Sequence, residues 1–276
     1  MKTRISAGGI VSRIFILILL ILTFVPLFVM FNMSLKPNVL IKTDFWGLPT
    51  EPYWANFVKA FSFSFKPVLN SLIVCAISLV GIIINVSLAG YAFGCLKFKG
   101  KTILYNLVLA VMMIPYTLMI VPTYEIVTKM NLLNTYWSLI IPYISGQQIF
   151  GIIIAASYFQ GLPKDLFEAA EIDGANEWGK FFIIALPLSK PILITVGITA
   201  VVAMYNDFIW PTVVLTSGDE IKTFCQIVFN NAAGKGSNDL GLIAAAFIIG
   251  TIPLVVSMAS TLKYYIQGMM VGAVKG

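Results

Sequence analysis

The side chains that could do chemistry in this sequence are few, and their types exclude most enzymatic mechanisms. The 276 residues contain no histidine, which removes the usual proton shuttle and the commonest metal ligand. Cys75, Cys95 and Cys225 stand far apart with no C-x-x-C pair, so they predict neither a zinc site nor a disulfide framework. The sequence contains no G-x-x-x-x-G-K-[ST] phosphate loop, so we expect this chain not to hydrolyse ATP. We therefore expect a non-enzymatic protein that binds no metal or cofactor of its own.

Polar side chains inside apolar segments are the remaining candidates for a function. Such residues suggest a path for a polar solute, with close packing between helices as the alternative. Gln147 and Gln148 are adjacent amides near the middle of one segment, and because adjacent side chains diverge on a helix, at least one should face the interior. Asn85 lies on a stripe of small and polar residues that also suits packing. Asp207 stands near a segment end, where we expect it to cap a helix.

The composition indicates that these residues are carried by membrane helices. Hydrophobic residues make up 59% of the chain and charged residues 11%, with a mean hydropathy of +0.92. Soluble domains typically have about 45–50% apolar and about 25% charged residues. A soluble enzyme, a disordered chain and a secreted disulfide scaffold are therefore excluded. The net charge of +6 fits the Lys and Arg that collect on cytoplasmic loops, so we expect no nucleic-acid partner.

Six apolar runs are long enough to cross the roughly 30 Å of hydrocarbon in a bilayer. The sequence therefore predicts an all-α, polytopic membrane helix bundle that forms a single transmembrane domain over residues 1–276. Pro115 breaks the third run and Pro211 follows the fifth. The first run is too long for a signal peptide and is expected to stay as an anchor. The predicted spans are Ile14–Met33, Val68–Tyr91, Ile103–Val121, Tyr136–Phe159, Ile192–Trp210 and Leu240–Leu262.

The distribution of basic residues predicts the orientation of these spans. With the N-terminus in the cytoplasm, the larger share of the 18 Lys and Arg residues falls inside, led by the cluster Lys97, Lys99 and Lys101. Six spans then leave both termini in the cytoplasm. Segments 34–67 and 211–239 become the long external loops.

The cytoplasmic segment 160–190 is acidic and has the pattern of a helix rather than of a simple connection. Pro163 and Asp165 suit a first helical turn, and Gly174 suits a left-handed helix end. A helix of about two turns is marginal alone, so it must pack against something. The residues leave open whether that is a groove on another protein or the chain's own bundle.

Several residues of this segment stand at a specific spacing: E-A-A, three residues, G, nine residues, I, one residue, L-P. The pattern resembles the EAA loop of permease subunits in binding-protein-dependent ABC importers. The stretch YNDFIWPTVVL at Tyr205–Leu215 and the ending QGMMVGAVKG at Gln267–Gly276 are similar to the MalG-type carbohydrate permeases. The resemblance covers residues 10–276. The loop residues that carry it are Glu168, Ala169, Ala170, Asp173, Gly174, Ala175, Ile184, Leu186 and Pro187.

The resemblance implies a type I ABC importer permease of the MetI-like fold, in the cytoplasmic membrane of a bacterium or archaeon. Its partners would be a second, MalF-like permease subunit, two cytoplasmic ATPases that bind ATP and Mg²⁺, and an extracytoplasmic solute-binding protein that delivers a sugar. The loop motif would be the coupling helix, seated in a cleft of one ATPase, where Glu168 meets a basic group. Val274 and Lys275 would reach the ATPases, and Gln147, Gln148 and Asn85 are the candidates for the sugar path.

Two other kinds of transporter remain as alternatives. One is an ABC permease for another small solute such as glycerol-phosphate. The other is an ion-coupled secondary transporter, which should need carboxylates inside the membrane. Only Glu125 and Asp207 qualify, and both lie near the ends of spans.

Overall fold

The computed structural model describes the backbone of residues 7–218, 220–231 and 239–273, and the side chains of residues 11–218, 220–231 and 239–263. Within these ranges all regular structure is helical. A π-helical segment, Lys180–Ala185, lies between two short helices. The α-helices, in chain order, are α1 (Ala7–Ser34), α2 (Asn38–Thr43), α3 (Ala55–Cys95), α4 (Lys101–Met112), α5 (Tyr116–Lys129), α6 (Trp137–Gln160), α7 (Lys164–Ile172), α8 (Glu177–Gly179), α9 (Leu186–Leu188), α10 (Lys190–Asn206), α11 (Ile209–Val214), α12 (Phe224–Asn230) and α13 (Leu240–Ala273).

Among the described residues, four continuous helices are long and apolar enough to cross a membrane, and two bent pairs bring the number to six. The continuous ones contain the predicted first, second, fourth and sixth spans. The 41-residue α3 extends well before Val68, where the second span was predicted to begin. Part of the external loop predicted at 34–67 is therefore helical, and so is part of the loop predicted at 211–239.

The two bent pairs, residues 101–129 and 177–206, overlap the predicted third and fifth spans. The third bends by 101° between Met112 and Tyr116, because Pro115 cannot continue a helix from the preceding residues. The fifth bends by 71° at Ser189, between Pro187 and Pro191, so the break lies at its beginning. The prediction that this span continues to Trp210 was wrong, since α10 ends at Asn206 and Trp210 belongs to α11.

The described chain divides into two compact units. The first comprises residues 1–65 and 228–252, of which the described part contains α1, α2 and the beginnings of α3 and α13. Its long apolar helix α1 has no buried residue in its most apolar window. The Asn56 amide holds the turn after α1 by donating to the carbonyl oxygens of Ser34 and Lys36, at 3.0 and 2.9 Å.

The second unit, residues 66–227 and 253–276, carries the candidate functional residues that the structure describes. Its centre is α6, where small residues allow neighbouring helices to approach closely. A Cβ added at Gly151 would lie 2.6 Å from Val86 and 2.7 Å from Val196, so α6 packs there against α3 and α10. The single permease domain over residues 1–276 stays a prediction.

Candidate functional site

Helix α7 carries the E-A-A motif and has the ends that the sequence predicts. Pro163 precedes its first residue and Asp165 lies in its first turn. Gly174 has φ +81°, and its N–H donates to the Glu171 carbonyl oxygen at 3.0 Å. The Ala175 N–H donates to the Ala170 carbonyl oxygen at 2.9 Å. This pair of hydrogen bonds is the Schellman arrangement, so Gly174 turns the chain sharply at the end of the motif.

The two sides of α7 differ in exposure. Phe167 and Ala170 are half-buried, whereas Glu168 and Ala169 are exposed. Two apolar side chains of α7 are also exposed, Ile172 by 87% and Leu166 by 44%. The inner side therefore contacts this chain, while the outer side presents apolar surface and carboxylates.

A polar network ties the inner side of α7 to the transmembrane helix α3. The Lys180 ammonium lies 3.0 Å from a Glu171 carboxylate oxygen of α7 and 3.0 Å from a Glu177 carboxylate oxygen of α8. The other carboxylate oxygen of Glu177 accepts a hydrogen bond from the Tyr91 hydroxyl at 3.0 Å. The Lys180 side chain is 10% exposed, whereas those of Glu171 and Glu177 are 72% and 55% exposed, so water reaches the carboxylate side of this network. No motif in the sequence marks Tyr91, Glu177 or Lys180 as functional residues.

Aromatic rings pack beneath the same network. The Tyr91 ring centroid lies 5.3 Å from that of Phe181, 6.0 Å from that of Phe159 and 6.5 Å from that of Phe167. These distances are in the range of favourable aromatic pairs. Tyr91 therefore contacts α6, α7 and the π-helical segment with one side chain. A movement of α7 relative to α3 has to rearrange this cluster.

The L-P end of the motif lies at the bend of the fifth span. Leu186 and Pro187 belong to α9, and the Ser189 hydroxyl donates to the Leu186 carbonyl oxygen at 2.9 Å. The Leu188 carbonyl oxygen accepts a hydrogen bond from the Tyr158 hydroxyl of α6 at 2.9 Å. The motif thus runs from an exposed helix, through the ion network, to the start of a transmembrane helix.

The structure separates the two adjacent glutamines, as predicted. Gln148 accepts a hydrogen bond from the Asn85 amide at 2.7 Å, so two of the candidate path residues pair with each other. Gln147 instead lines a cleft together with Asp207. Asp207 caps α11, since its Oδ1 accepts hydrogen bonds from the N–H groups of Ile209 and Trp210 at 2.9 and 3.3 Å. The predicted capping role of Asp207 is confirmed.

Two further expectations concern the tail and metal ions. Val274 and Lys275 lie outside the described residues. Within residues 11–218, 220–231 and 239–263, no group of three or more His, Cys, Asp or Glu side chains could hold a metal ion.

Comparison with known proteins gives consistent matches along the chain. The chain is 32% identical over 266 residues to the probable ABC transporter permease protein YurM of Bacillus subtilis (strain 168), covering 95% of this chain and 87% of YurM. It is 30% identical over 279 residues to the arabinooligosaccharides transport system permease protein AraQ of the same organism, covering 99% of this chain and 98% of AraQ. Both alignments therefore extend over nearly the whole of this chain.

The fold also matches a solved structure. A crystal structure of a bacterial ABC transporter involved in the import of the acidic polysaccharide alginate contains a chain that superposes with a TM-score of 0.79. The match covers 96% of this chain and 100% of that chain at 18% identity. The predicted all-α membrane bundle with the MetI-like permease fold is confirmed.

The family profile described as binding-protein-dependent transport system inner membrane component matches residues 87–271. The matched segment contains the whole motif from Glu168 to Pro187, the ion network and the cleft at Gln147. The chain is therefore a multi-pass membrane protein, a transport subunit rather than an enzyme, and it belongs to the family of inner membrane components of binding-protein-dependent transport systems.

Proposed function

We propose that this chain is the permease subunit of an ATP-driven importer for sugars or oligosaccharides and forms half of the translocation pore. A second, MalF-like permease supplies the other half, and a solute-binding protein delivers the sugar. Two ATPase subunits bind ATP and Mg²⁺, and this chain binds neither. The complex lies in the cytoplasmic membrane of a bacterium or archaeon, with both termini of this chain in the cytoplasm.

The observation that carries the proposal is the two-sided character of α7. Its inner side is fixed to α3 through Lys180, Glu177 and Tyr91. Its exposed residues include the apolar side chains of Leu166 and Ile172, beside the carboxylate of Glu168. A helix with one side on its own chain and another side exposed is suited to a groove on a partner, and this supports the proposal.

The chemistry of α7 indicates a partner surface that is apolar at its centre and basic at its rim. Asp165, Glu168 and Asp173 are exposed on or beside the helix, and Ala169 lets a partner approach the backbone closely. Exposed ion pairs contribute about 0–1 kcal/mol each, so shape complementarity supplies most of the docking energy. Nucleotide-driven movement of an ATPase would reach α3 through the ion network and α10 through Leu186 and Pro187. Val274 and Lys275 are proposed as a second contact with the ATPases.

The proposed substrate class rests on the names of the related permeases and not on the geometry of α7. AraQ, which is named for arabinooligosaccharide transport, aligns over 99% of this chain. A sugar presents hydroxyl groups and apolar faces, and it therefore needs amides, phenols and aromatic rings along its path.

Reconstitution tests the proposal directly. The chain is expressed with the ATPase, permease and binding-protein genes of its own genome, purified as a complex and placed in liposomes. We expect uptake of a radiolabelled neutral oligosaccharide that requires ATP inside and binding protein outside and that is insensitive to a protonophore. Uptake that survives without ATP but stops with the protonophore would instead identify an ion-coupled transporter.

A further inference from the structure

A cleft of about 450 Å³ in the second unit lies beside the bend of the third span. Its volume is within the usual range of about 300–1,000 Å³ for small-molecule sites. Polar and aromatic side chains from three helical regions converge there. They are Tyr116, Tyr143, Gln147, Asn206, Asp207 and Phe208.

Asp207 organises the polar side of this cleft. While its Oδ1 caps α11, its Oδ2 accepts hydrogen bonds from the Tyr143 hydroxyl at 3.0 Å and the Tyr116 hydroxyl at 3.4 Å. Both oxygens therefore act as acceptors, as an ionised carboxylate does. The capping of α11 uses only Oδ1 of Asp207. It does not explain why the hydroxyls of Tyr116 and Tyr143 both bond to Oδ2. The second oxygen fixes their O–H groups and turns their remaining lone pairs towards other donors.

Gln147 supplies the complementary groups. Its amide makes no hydrogen bond to another residue in the described part of the chain, although the side chain is half-buried. An amide left unpaired in a half-buried position is unfavourable unless water or a ligand completes its bonding. It offers both a donor and an acceptor to the cleft. A sugar hydroxyl group can likewise donate one hydrogen bond and accept others.

The remaining surface of the cleft suits the apolar face of a sugar. The Tyr116 ring is 54% exposed, and Phe208 lines the same cleft. An adjoining, largely apolar cavity of about 400 Å³ shares Tyr116, Tyr143 and Gly146 with it. A Cβ added at Gly146 would meet no atom within 4 Å, so this glycine leaves the space open.

The charges around the cleft limit what can bind. Among the residues that the structure describes, its lining includes the Asp207 carboxylate and no Lys or Arg. An anionic solute would have no cation to pair with and would meet a negative charge in an environment of low dielectric constant. An uncharged polyhydroxylated ring has no such penalty.

We propose that this cleft is a subsite for one uncharged sugar ring of the transported solute. The ring's hydroxyl groups bind to Gln147 and to the phenols of Tyr116 and Tyr143, which Asp207 orients. The inference rests on the proposed function, because it needs a sugar to pass through this subunit. Beyond the proposed function, the inference specifies where this subunit contacts the sugar and that anionic sugars are excluded.

Uptake by the reconstituted complex tests the proposed contacts, with radiolabelled maltotriose or arabinotriose as the probe, whichever the unaltered complex imports. The variants are Gly146→Leu, which fills the cleft, Gln147→Leu, which removes the amide, and Tyr116→Phe, which removes one hydroxyl. We expect Gln147→Leu and Tyr116→Phe each to lower the sugar transported per ATP hydrolysed about tenfold, the factor that corresponds to one lost hydrogen bond of ordinary strength. Gly146→Leu should cause at least as large a loss, because its side chain occupies the space of the sugar ring. Tyr124→Phe, on the same helix as Tyr116 but outside the cleft, should stay within about twofold of the unaltered complex.

The outcomes separate the two proposals. If the unaltered complex hydrolyses ATP but imports neither probe, the proposed substrate class is wrong and the subsite with it. If the unaltered complex imports a probe and the three variants match it, only the subsite is wrong. Should Gly146→Leu fail to assemble, Gln147→Leu and Tyr116→Phe decide the question, since both only remove polar atoms. Gln147→Asn retains an amide and should restore part of the activity lost in Gln147→Leu.

A labelling experiment tests the charge preference without the binding protein. In an Ala203→Cys complex, whose new thiol lines the cleft without replacing a proposed sugar contact, the imported trisaccharide at high concentration should slow the reaction with a maleimide at least threefold, while tri-galacturonate at the same concentration should leave the rate unchanged. The unaltered complex, with Cys75, Cys95 and Cys225, gives the background rate. Equal protection by both sugars would overturn the exclusion of anions, and protection by neither would overturn the subsite.

Discussion

At the scale of single residues, Gly174 fixes the direction in which the chain leaves α7. At its φ of +81° a proline is impossible, because the pyrrolidine ring holds φ near −65° and removes the N–H that bonds to Glu171. Asparagine tolerates the left-handed region. The substitution Gly174→Pro should therefore abolish ATP-dependent uptake while the subunit still inserts, whereas Gly174→Asn should retain most of it. Membrane fractionation, ATPase pull-down and uptake measure this, and full uptake with Gly174→Pro would contradict the coupling role of α7.

Lys180 forms the polar connection between α7 and α3, because it pairs with Glu171 and with Glu177, and Glu177 accepts a hydrogen bond from Tyr91. In Lys180→Met the carboxylates of Glu171 and Glu177 lose their common cation, and the polar connection between α7 and Tyr91 is broken, while the hydrogen bond from Tyr91 to Glu177 remains. Mutations within a coupling network change the coupling by factors of roughly two to thirty. We expect the complex to assemble and hydrolyse ATP but to import two- to thirtyfold less sugar per ATP. The matched control is Lys164→Met, at an exposed position of α7. An equal loss there would mean that the network carries no coupling.

The residues of this network also show how far a sequence reveals a site. The E-A-A spacing and the left-handed glycine are local, so they can be recognised directly. The pair Glu177 and Lys180 is also local, at a spacing of three residues. Glu171 joins it only because Gly174 reverses the chain, and Tyr91 stands 86 residues from Glu177. Contacts of this kind depend on tertiary packing, which no periodicity in the sequence expresses.

At the scale of helices, the same distinction applies to the two bent spans. Pro115 lies inside an apolar run, so a break there follows from the missing N–H and the restricted residue before it. The bend at Ser189 depends on two flanking prolines and on the hydrogen bond from Tyr158, which holds the Leu188 carbonyl oxygen. Pro211, which the sequence suggests as a limit of the fifth span, lies inside the separate helix α11. The bend of the third span was therefore predictable, because one residue, Pro115, causes it. The bend of the fifth span was not, because it also depends on a contact with the neighbouring helix α6.

The packing of α6 gives a prediction at this scale. Gly151→Ala would place a methyl group 2.6 Å from Val86 and 2.7 Å from Val196, so α3 or α10 must move away. Overpacking of this kind costs about 1–3 kcal/mol. We expect a lower midpoint of thermal unfolding for the detergent-solubilised subunit. Gly146→Ala, on the same helix and facing open space, should not lower it, and equal midpoints for both variants would show that α6 is not closely packed at Gly151.

At the scale of the whole molecule, the orientation in the membrane decides which surfaces can meet an ATPase. The Lys97, Lys99 and Lys101 cluster follows α3 directly, and Tyr91 of the same helix contacts the loop that carries α7. If basic segments remain in the cytoplasm, α7 is on the side where ATP is available. The coupling role of α7 therefore depends on the orientation of the chain in the membrane. This orientation can be measured at two exposed lysines, Lys42 before α3 and Lys99 after it.

In intact cells, a membrane-impermeant maleimide should label Lys42→Cys and leave Lys99→Cys unmodified, because the first position is predicted to be outside and the second inside. Both side chains are exposed, so a difference in reactivity reports the side of the membrane rather than burial. Cells that carry the unaltered chain correct for the native cysteines. Permeabilised cells should show equal labelling at both positions. If Lys99→Cys reacts in intact cells and Lys42→Cys does not, the chain is inverted, α7 faces away from the cytoplasm, and no ATPase there could dock on it.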